Sequence, residues 1–218
     1  MMAGIMHVEI WSDVICPWCY IGKRRFEDAL SKFDGADDVQ IVWRAFELDP
    51  GAPPQRHGTL VQHLAVKYGM DAESAQASVD RLTRLAAAEG LEYHLDATRS
   101  GNTFNAHRLI HAAETEGIQG AMKERLLRAY FTEGAPIGDD DTLVRLAVEV
   151  GLDANMAATV LAGDAYASAV RADEQRAMEM GISGVPFFLI DGKFAIAGAQ
   201  SADVILDLLE RAATANVA

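Results

Sequence analysis

Positive charge is scarce in this 218-residue chain: 19 Lys and Arg stand against 32 Asp and Glu, a formal net charge of −13. Phosphate binding rests on clustered Lys and Arg, so nucleic acid is not an expected partner. Long apolar runs are missing as well. No stretch approaches the roughly 20 residues of a membrane-spanning helix, and no membrane association is expected. The opening Met1-Met2-Ala3-Gly4-Ile5-Met6-His7 lacks the basic start and apolar run of a secretory leader, so the expected location is cytoplasmic. Cysteine is nearly absent: the chain has 2, Cys16 and Cys19. A disulfide across so short a loop adds little chain-entropy stabilisation. Isolated structural disulfides are also rare in a reducing compartment. The pair calls for a chemical explanation. A structural zinc site needs four ligands. The nearest further candidates, His107 and His111, lie far along the chain, with Arg108 where a zinc protease would carry Glu. No metal is expected, and the run Asp139-Asp140-Asp141 reads as a solvated helix N-terminus.

What is present is globular: 50% of residues are hydrophobic and 23% charged. The length suits one large domain, or a small one carrying an insertion. Ile5–Trp11 predicts a strand and Ser12-Asp13 a turn. Cys16-Pro17 opens a helix carrying Tyr20, Phe26, Leu30 and Phe33, and Val39–Phe46 predicts a second strand. The proline-rich Asp49–Pro54 breaks the pattern. From about residue 57 to about residue 180 the chain reads as helical, most strongly over Ala72–Glu89, Thr103–Glu116, Ala121–Phe131, Asp141–Val150 and Ala165–Met180. Val185–Ile190 and Lys193–Ala197 then predict a hairpin around Asp191-Gly192. Ser201 starts a last helix with Val204, Ile205, Leu208 and Leu209 as its apolar stripe. The expectation is an α/β fold in which βαβ and αββα ends build one mixed sheet around a large all-helical insertion. The sheet domain would comprise residues 1–50 and 165–218, and the insertion residues 51–164.

Cys16-Pro17-Trp18-Cys19 is a C-x-x-C at a strand-to-helix junction. There the first sulfur meets unpaired backbone N–H groups and the positive end of the helix dipole. Both favour the thiolate, which is the nucleophile of disulfide exchange. Cys19, within the first turn, is placed to resolve a mixed disulfide. These residues predict a Cys16 more ionised than Cys19 near neutral pH.

The segment Ser12-Asp13-Val14-Ile15-Cys16-Pro17-Trp18-Cys19-Tyr20-Ile21-Gly22 resembles the active-site opening of DsbA-like thioredoxin-fold proteins, in particular the FrnE-type branch. Three further segments are similar to that branch, in order along the chain: Trp43–Pro50, Asn102–Leu109 and Gly181–Phe188. The resemblance implies a thioredoxin fold interrupted by a helical domain. It also implies that Pro186 is a cis-proline facing the cysteines, with Val185 offering its backbone to an extended client. Trp18 and Phe187 would add apolar client surface. Asn102 or Thr103 reads as a helix cap and His107 as a core histidine. Three departures stand out. Many relatives carry a carboxylate six residues before the first cysteine, where this chain has Ile10, so Asp13, Glu47 or water would take that proton. Pro-Trp replaces the Pro-His of strongly oxidising members. No further cysteine exists for an internal relay.

The expected activity is thiol–disulfide exchange, with Cys16 as nucleophile and Cys19 as resolving thiol. The expected partners are protein or small-molecule disulfides and thiols, plus an upstream thiol system. Glutathione is a candidate redox partner, and no tightly bound cofactor is needed. Two alternatives are weighed beside it. One is a glutathione-dependent enzyme of the kappa-class transferase or 2-hydroxychromene-2-carboxylate isomerase type, in which serine typically replaces the first cysteine. The other is a client-binding module without turnover. The residues are silent on oligomeric state.

Overall fold

Strand β1 (Met6–Ser12) owes its central place to alternation: it is buried on both faces, with Val8 and Ile10 pointing to one side and Trp11 to the other. The computed structural model describes residues 5–215. Met1–Gly4, on which part of the reading against a leader rests, lie outside the described residues. β1 pairs in parallel with β2 (Val39–Ala45), placing Ser12 opposite Ala45 at the carboxyl ends of both strands. On its other edge it pairs antiparallel with β3 (Phe187–Ile190), which pairs antiparallel with β4 (Phe194–Ala197). The order β2-β1-β3-β4 is the expected mixed sheet built from both ends of the chain.

The connection from β1 to β2 is α1 (Pro17–Lys32) and a 3-10 turn at Ala36–Asp38. α1 lies on the Ile10 face, where its Phe26 stacks on Phe188 at 5.6 Å between ring centroids, a contact worth about 0.5–1.5 kcal/mol beyond area burial. The last helix of the chain, Ala202–Ala215, packs beside α1 through its buried Ile205, Leu209 and Ala212. Val204, expected in that stripe, instead faces solvent at 49% exposure, because it sits one residue off the buried i, i+4 row. The other face of the sheet holds Trp11 and Leu189 against Ala177 and Ile182, with Phe46, Val185 and Phe187 packed around them. Asp191 and Gly192 take left-handed φ of 49° and 68°, the conformation an Asp-Gly hairpin turn requires.

The described residues divide into two compact units: those up to Leu48 with those from Val170 on, and Asp49–Ala169. The second unit is helical. It contains α2 (Leu60–Tyr68), α3 (Ala72–Ala88), α4 (Phe104–Thr115), α5 (Gln119–Phe131), α6 (Asp140–Glu149) and α7 (Ala154–Ala162). α8 (Ala167–Glu179) begins in it and continues into the first unit, which makes the terminal helix α9. The side chains of Thr59, Asp71, Asp139 and Asp153 cap their helices by accepting a backbone N–H three residues on. A Cβ on Gly101 or on Gly138 would fall onto the carbonyl oxygen of Pro54, so both glycines are needed where the proline-rich loop passes.

Candidate active site

The carboxyl end of β1 runs into a tight turn in which the Cys16 N–H donates to the Asp13 carbonyl at 3.3 Å. Cys16 is then the N-cap of α1, Pro17 fills the first helical position, and the Cys19 N–H donates to the Cys16 carbonyl at 3.0 Å. Both cysteines are free thiols and buried, Cys16 at 4% exposure and Cys19 at 1%. Trp18, between them, is 44% exposed.

The β3 approach comes from 169 residues away in sequence, where the Val185 carbonyl accepts from the Cys16 thiol at 3.5 Å. The Val185–Pro186 peptide bond is cis. Pro186 has no N–H to give a neighbouring strand, and β3 begins at Phe187 rather than at Val185 as the apolar run predicts. The Pro186 carbonyl accepts from Gly198 at 2.8 Å. Cys16, Cys19, Val185 and Pro186 therefore converge at one end of the sheet. Phe187 is half-buried, its ring edge-on to Trp11 at 6.2 Å, so most of its surface serves packing. Gly22 makes the convergence sterically open: a Cβ there would lie 2.8 Å from Pro186 Cγ.

The electrostatics correct one expectation. The Cys16 thiol is pushed well above its ordinary value rather than below it. The main cause is the Cys19 side chain beside it; burial and the negative charge of Asp13 add to it. The Cys19 backbone N–H opposes them and favours the Cys16 thiolate, but it is outweighed. The helix-start effect is present, yet two sulfurs this close and this dry do not both ionise, and the pair titrates as a unit.

Behind the cysteines, Asp13 is fully buried and its Oδ2 accepts from the Leu48 N–H at 2.8 Å. Glu47, the residue before Leu48, is also buried, and burial pushes its carboxyl up to about 7, with Glu174 adding and Arg171 opposing. On the same face of the sheet, Glu9 accepts from Arg44 at 2.8 and 2.6 Å and from Arg176 at 2.6 Å. Burial works to raise Glu9, but Arg176 and Arg44 outweigh it and hold the carboxyl below its usual value. Sequence reasoning named Asp13 and Glu47 but missed Arg171 and Glu174, whose place on a helix beyond the long insertion leaves no local signal.

The other named residues sit in the helical unit. His107 is buried, and Asn102 caps α4 by accepting from Phe104 N–H at 2.9 Å. Arg108 donates from inside the unit to the carbonyls of Val160, Gly163 and Ala165, a stitching role. Among the described residues, no group of three or more His, Cys, Asp or Glu is placed to hold a metal ion. Among them, too, no helix is long and apolar enough to cross a membrane.

A dithiol at the start of the first helix of a β2-β1-β3-β4 sheet, facing a cis X–Pro bond, defines a thioredoxin-type fold. Residues 7–210 match the model of the DSBA-like thioredoxin domain, and the chain belongs to that family. It is 31% identical over 211 residues to the uncharacterized protein YwbO of Bacillus subtilis (strain 168), covering 91% of this chain and 93% of that one. It is similar to the crystal structure of a probable DsbA oxidoreductase from Streptomyces coelicolor, with 46% identity, a TM-score of 0.91 and coverage of 95% and 89% of the two chains. At 18% identity it shares the fold of the cytosolic disulfide reductase DsbM from Pseudomonas aeruginosa solved with GSH, with a TM-score of 0.66 and coverage of 94% and 98%.

Proposed function

We propose that the protein exchanges disulfides with client thiols through Cys16 and Cys19. The observation that carries this reading is the Cys16 thiol lying against the Val185 carbonyl, in front of the Val185–Pro186 bond, with Cys19 one turn behind. In the reducing direction the Cys16 thiolate attacks a client disulfide R–S–S–R′. The Cys16–S–R bond forms, R′–S⁻ departs and takes up a proton. Cys19 then attacks the Cys16 sulfur, forming the Cys16–Cys19 disulfide and releasing R–S⁻, which is protonated in turn. Two electrons pass to the client and the two thiol protons go with them. The oxidising direction is the reverse, and the relative potentials of enzyme and client set the net flow.

Val185 presents backbone to an extended client, and exposed Trp18 offers it an apolar surface, with the uncovered part of Phe187 beside it. Pro186 keeps that backbone free of a neighbouring strand. Reduced enzyme is regenerated by an upstream thiol donor. Two molecules of glutathione would supply the two electrons and leave as glutathione disulfide, a reading supported by the glutathione-bound neighbour of the same fold. No metal or bound organic cofactor takes part, and the chemistry suits a cytoplasmic thiol pool. The test is insulin-disulfide reduction with glutathione as donor, beside a glutathione-conjugation assay. Wild type is expected to reduce insulin and Cys16→Ser to lose all activity above background. Conjugation without insulin reduction would favour the glutathione-transferase reading instead.

A further inference from the structure

We infer that Glu47 is a positioning residue of the dithiol site: it shares the Arg171 cation with Glu174, and its charge reaches Cys16 through Leu48 and Asp13. The inference rests on the exchange reading above and adds to it the group that sets its pH response.

The geometry begins at the carboxyl end of β2. Glu47 follows that strand and its side chain has 0% exposure. Arg171, from α8, donates to Glu47 Oε1 at 2.7 Å and to Glu174 Oε2 at 2.6 Å. One cation thus serves two carboxyl groups. The second oxygen of Glu174, Oε1, is buried and accepts no hydrogen bond. Glu47 lies close enough to Glu174 for that carboxyl to disfavour its anion. Burial disfavours the Glu47 anion and the charge of Glu174 adds to that, which is why Glu47 keeps its proton up to about pH 7.

The other charges on this side of the sheet are already committed. Glu9 is held by Arg44 and Arg176, and Asp173 accepts from the Ala45 N–H and from Arg44. Asp13 is the link to the cysteines. Its carboxylate holds the amide of Leu48, the residue after Glu47, and its carbonyl holds the amide of Cys16. Its negative charge already opposes the Cys16 thiolate. When Glu47 ionises, the cluster gains a negative charge beside the peptide that holds Asp13, and Cys16 becomes harder to ionise. The thiol should therefore respond to pH in two steps, one from its own titration and one from Glu47.

The experiment follows alkylation of Cys16 by iodoacetamide in the reduced protein from pH 5.5 to 9, with the labelled residue located by mass spectrometry. It needs no client, so it reads this inference even if insulin reduction fails; insulin reduction in the same preparations reads the exchange function separately. Wild type is expected to show an inflection near pH 7. In Glu47→Gln the inflection disappears and the rate at pH 8 rises about threefold, as expected for a thiol ionising roughly half a pH unit lower. In Glu174→Gln the inflection moves below pH 7, because Glu47 then loses its negative neighbour. A folded Glu47→Gln that keeps the wild-type inflection would overturn the inference. Should that variant fail to fold, an inflection left unmoved in Glu174→Gln would overturn it as well.

Discussion

Glu47 also makes a prediction about stability. Its carboxyl is raised from an ordinary 4.5 to about 7 in the folded protein, so the folded state binds this proton more tightly than the unfolded chain. A raised folded-state value gives stability that is fully present below pH 4.5 and is lost as pH rises through 7. The full contribution is about 3 kcal/mol, most of which disappears between pH 5 and pH 8. Glu47→Gln removes the titration while keeping shape and one hydrogen-bonding oxygen for Arg171. Urea unfolding of wild type and variant at half-unit steps from pH 5 to 8 isolates the effect. Titrations common to both proteins, such as that of Glu9, cancel in the difference. The stability of wild type minus that of the variant should fall by about 2–3 kcal/mol across that range, leaving the variant relatively favoured at pH 8. A difference that stays flat, or that rises with pH, would refute the assignment of a neutral-pH proton to Glu47.

Cys19→Ala should lower the pH at which Cys16 reacts with iodoacetamide, because Cys19 is the largest influence holding the Cys16 proton. An alkylation profile unchanged from wild type would show that burial alone sets the value. Gly22→Ala should cost about 1–3 kcal/mol by overpacking and slow insulin reduction. Its new methyl would lie 2.8 Å from Pro186 Cγ and must push apart the helix and the loop that meet at Cys16. Wild-type unfolding midpoint and rate in that variant would mean the two segments separate freely.

The parts of the fold written in neighbouring residues were legible. Cys16-Pro17 marks a helix start because proline lacks the donor that the first turn leaves unpaired, and α1 begins there. Asp191-Gly192 marks a hairpin because both residues tolerate left-handed φ. α2 and α7 were absorbed in an undivided helical stretch, and α2 has no buried residue from which to read a face. The candidate site was legible in its sulfurs and its proline, which sit in local motifs. It was not legible in its electrostatics. Helix-start reasoning looked only at Cys16 and its backbone, whereas its thiol is governed by the sulfur of Cys19 and by exclusion of water. The Arg171–Glu47 bond spans 124 residues, so no window along the chain could pair them. Gly22 looked like one more motif letter, and its reason appears only when Pro186 is brought against the helix.

Ile10 bears on where the acid of this site can be. On β1 it lies opposite Phe188, on the face where Phe188 stacks against Phe26. A carboxylate at that position would be buried among aromatic rings, where a charge is costly to desolvate. The opposite face is different in kind. It carries Arg44, Arg171 and Arg176, which pair with Glu9, Asp173, Glu47 and Glu174. Of those carboxylates, Glu9 is held as an anion by two arginines, whereas Glu47 shares its one arginine with Glu174 and keeps a proton near neutrality. Reduction of one client disulfide sends two protons out of the dithiol, and re-reduction brings two back. A group that gives and takes a proton near pH 7 can follow that traffic where a fixed anion cannot. An acid at the end of β2, rather than on the Phe188 face, thus sits where arginine can hold it.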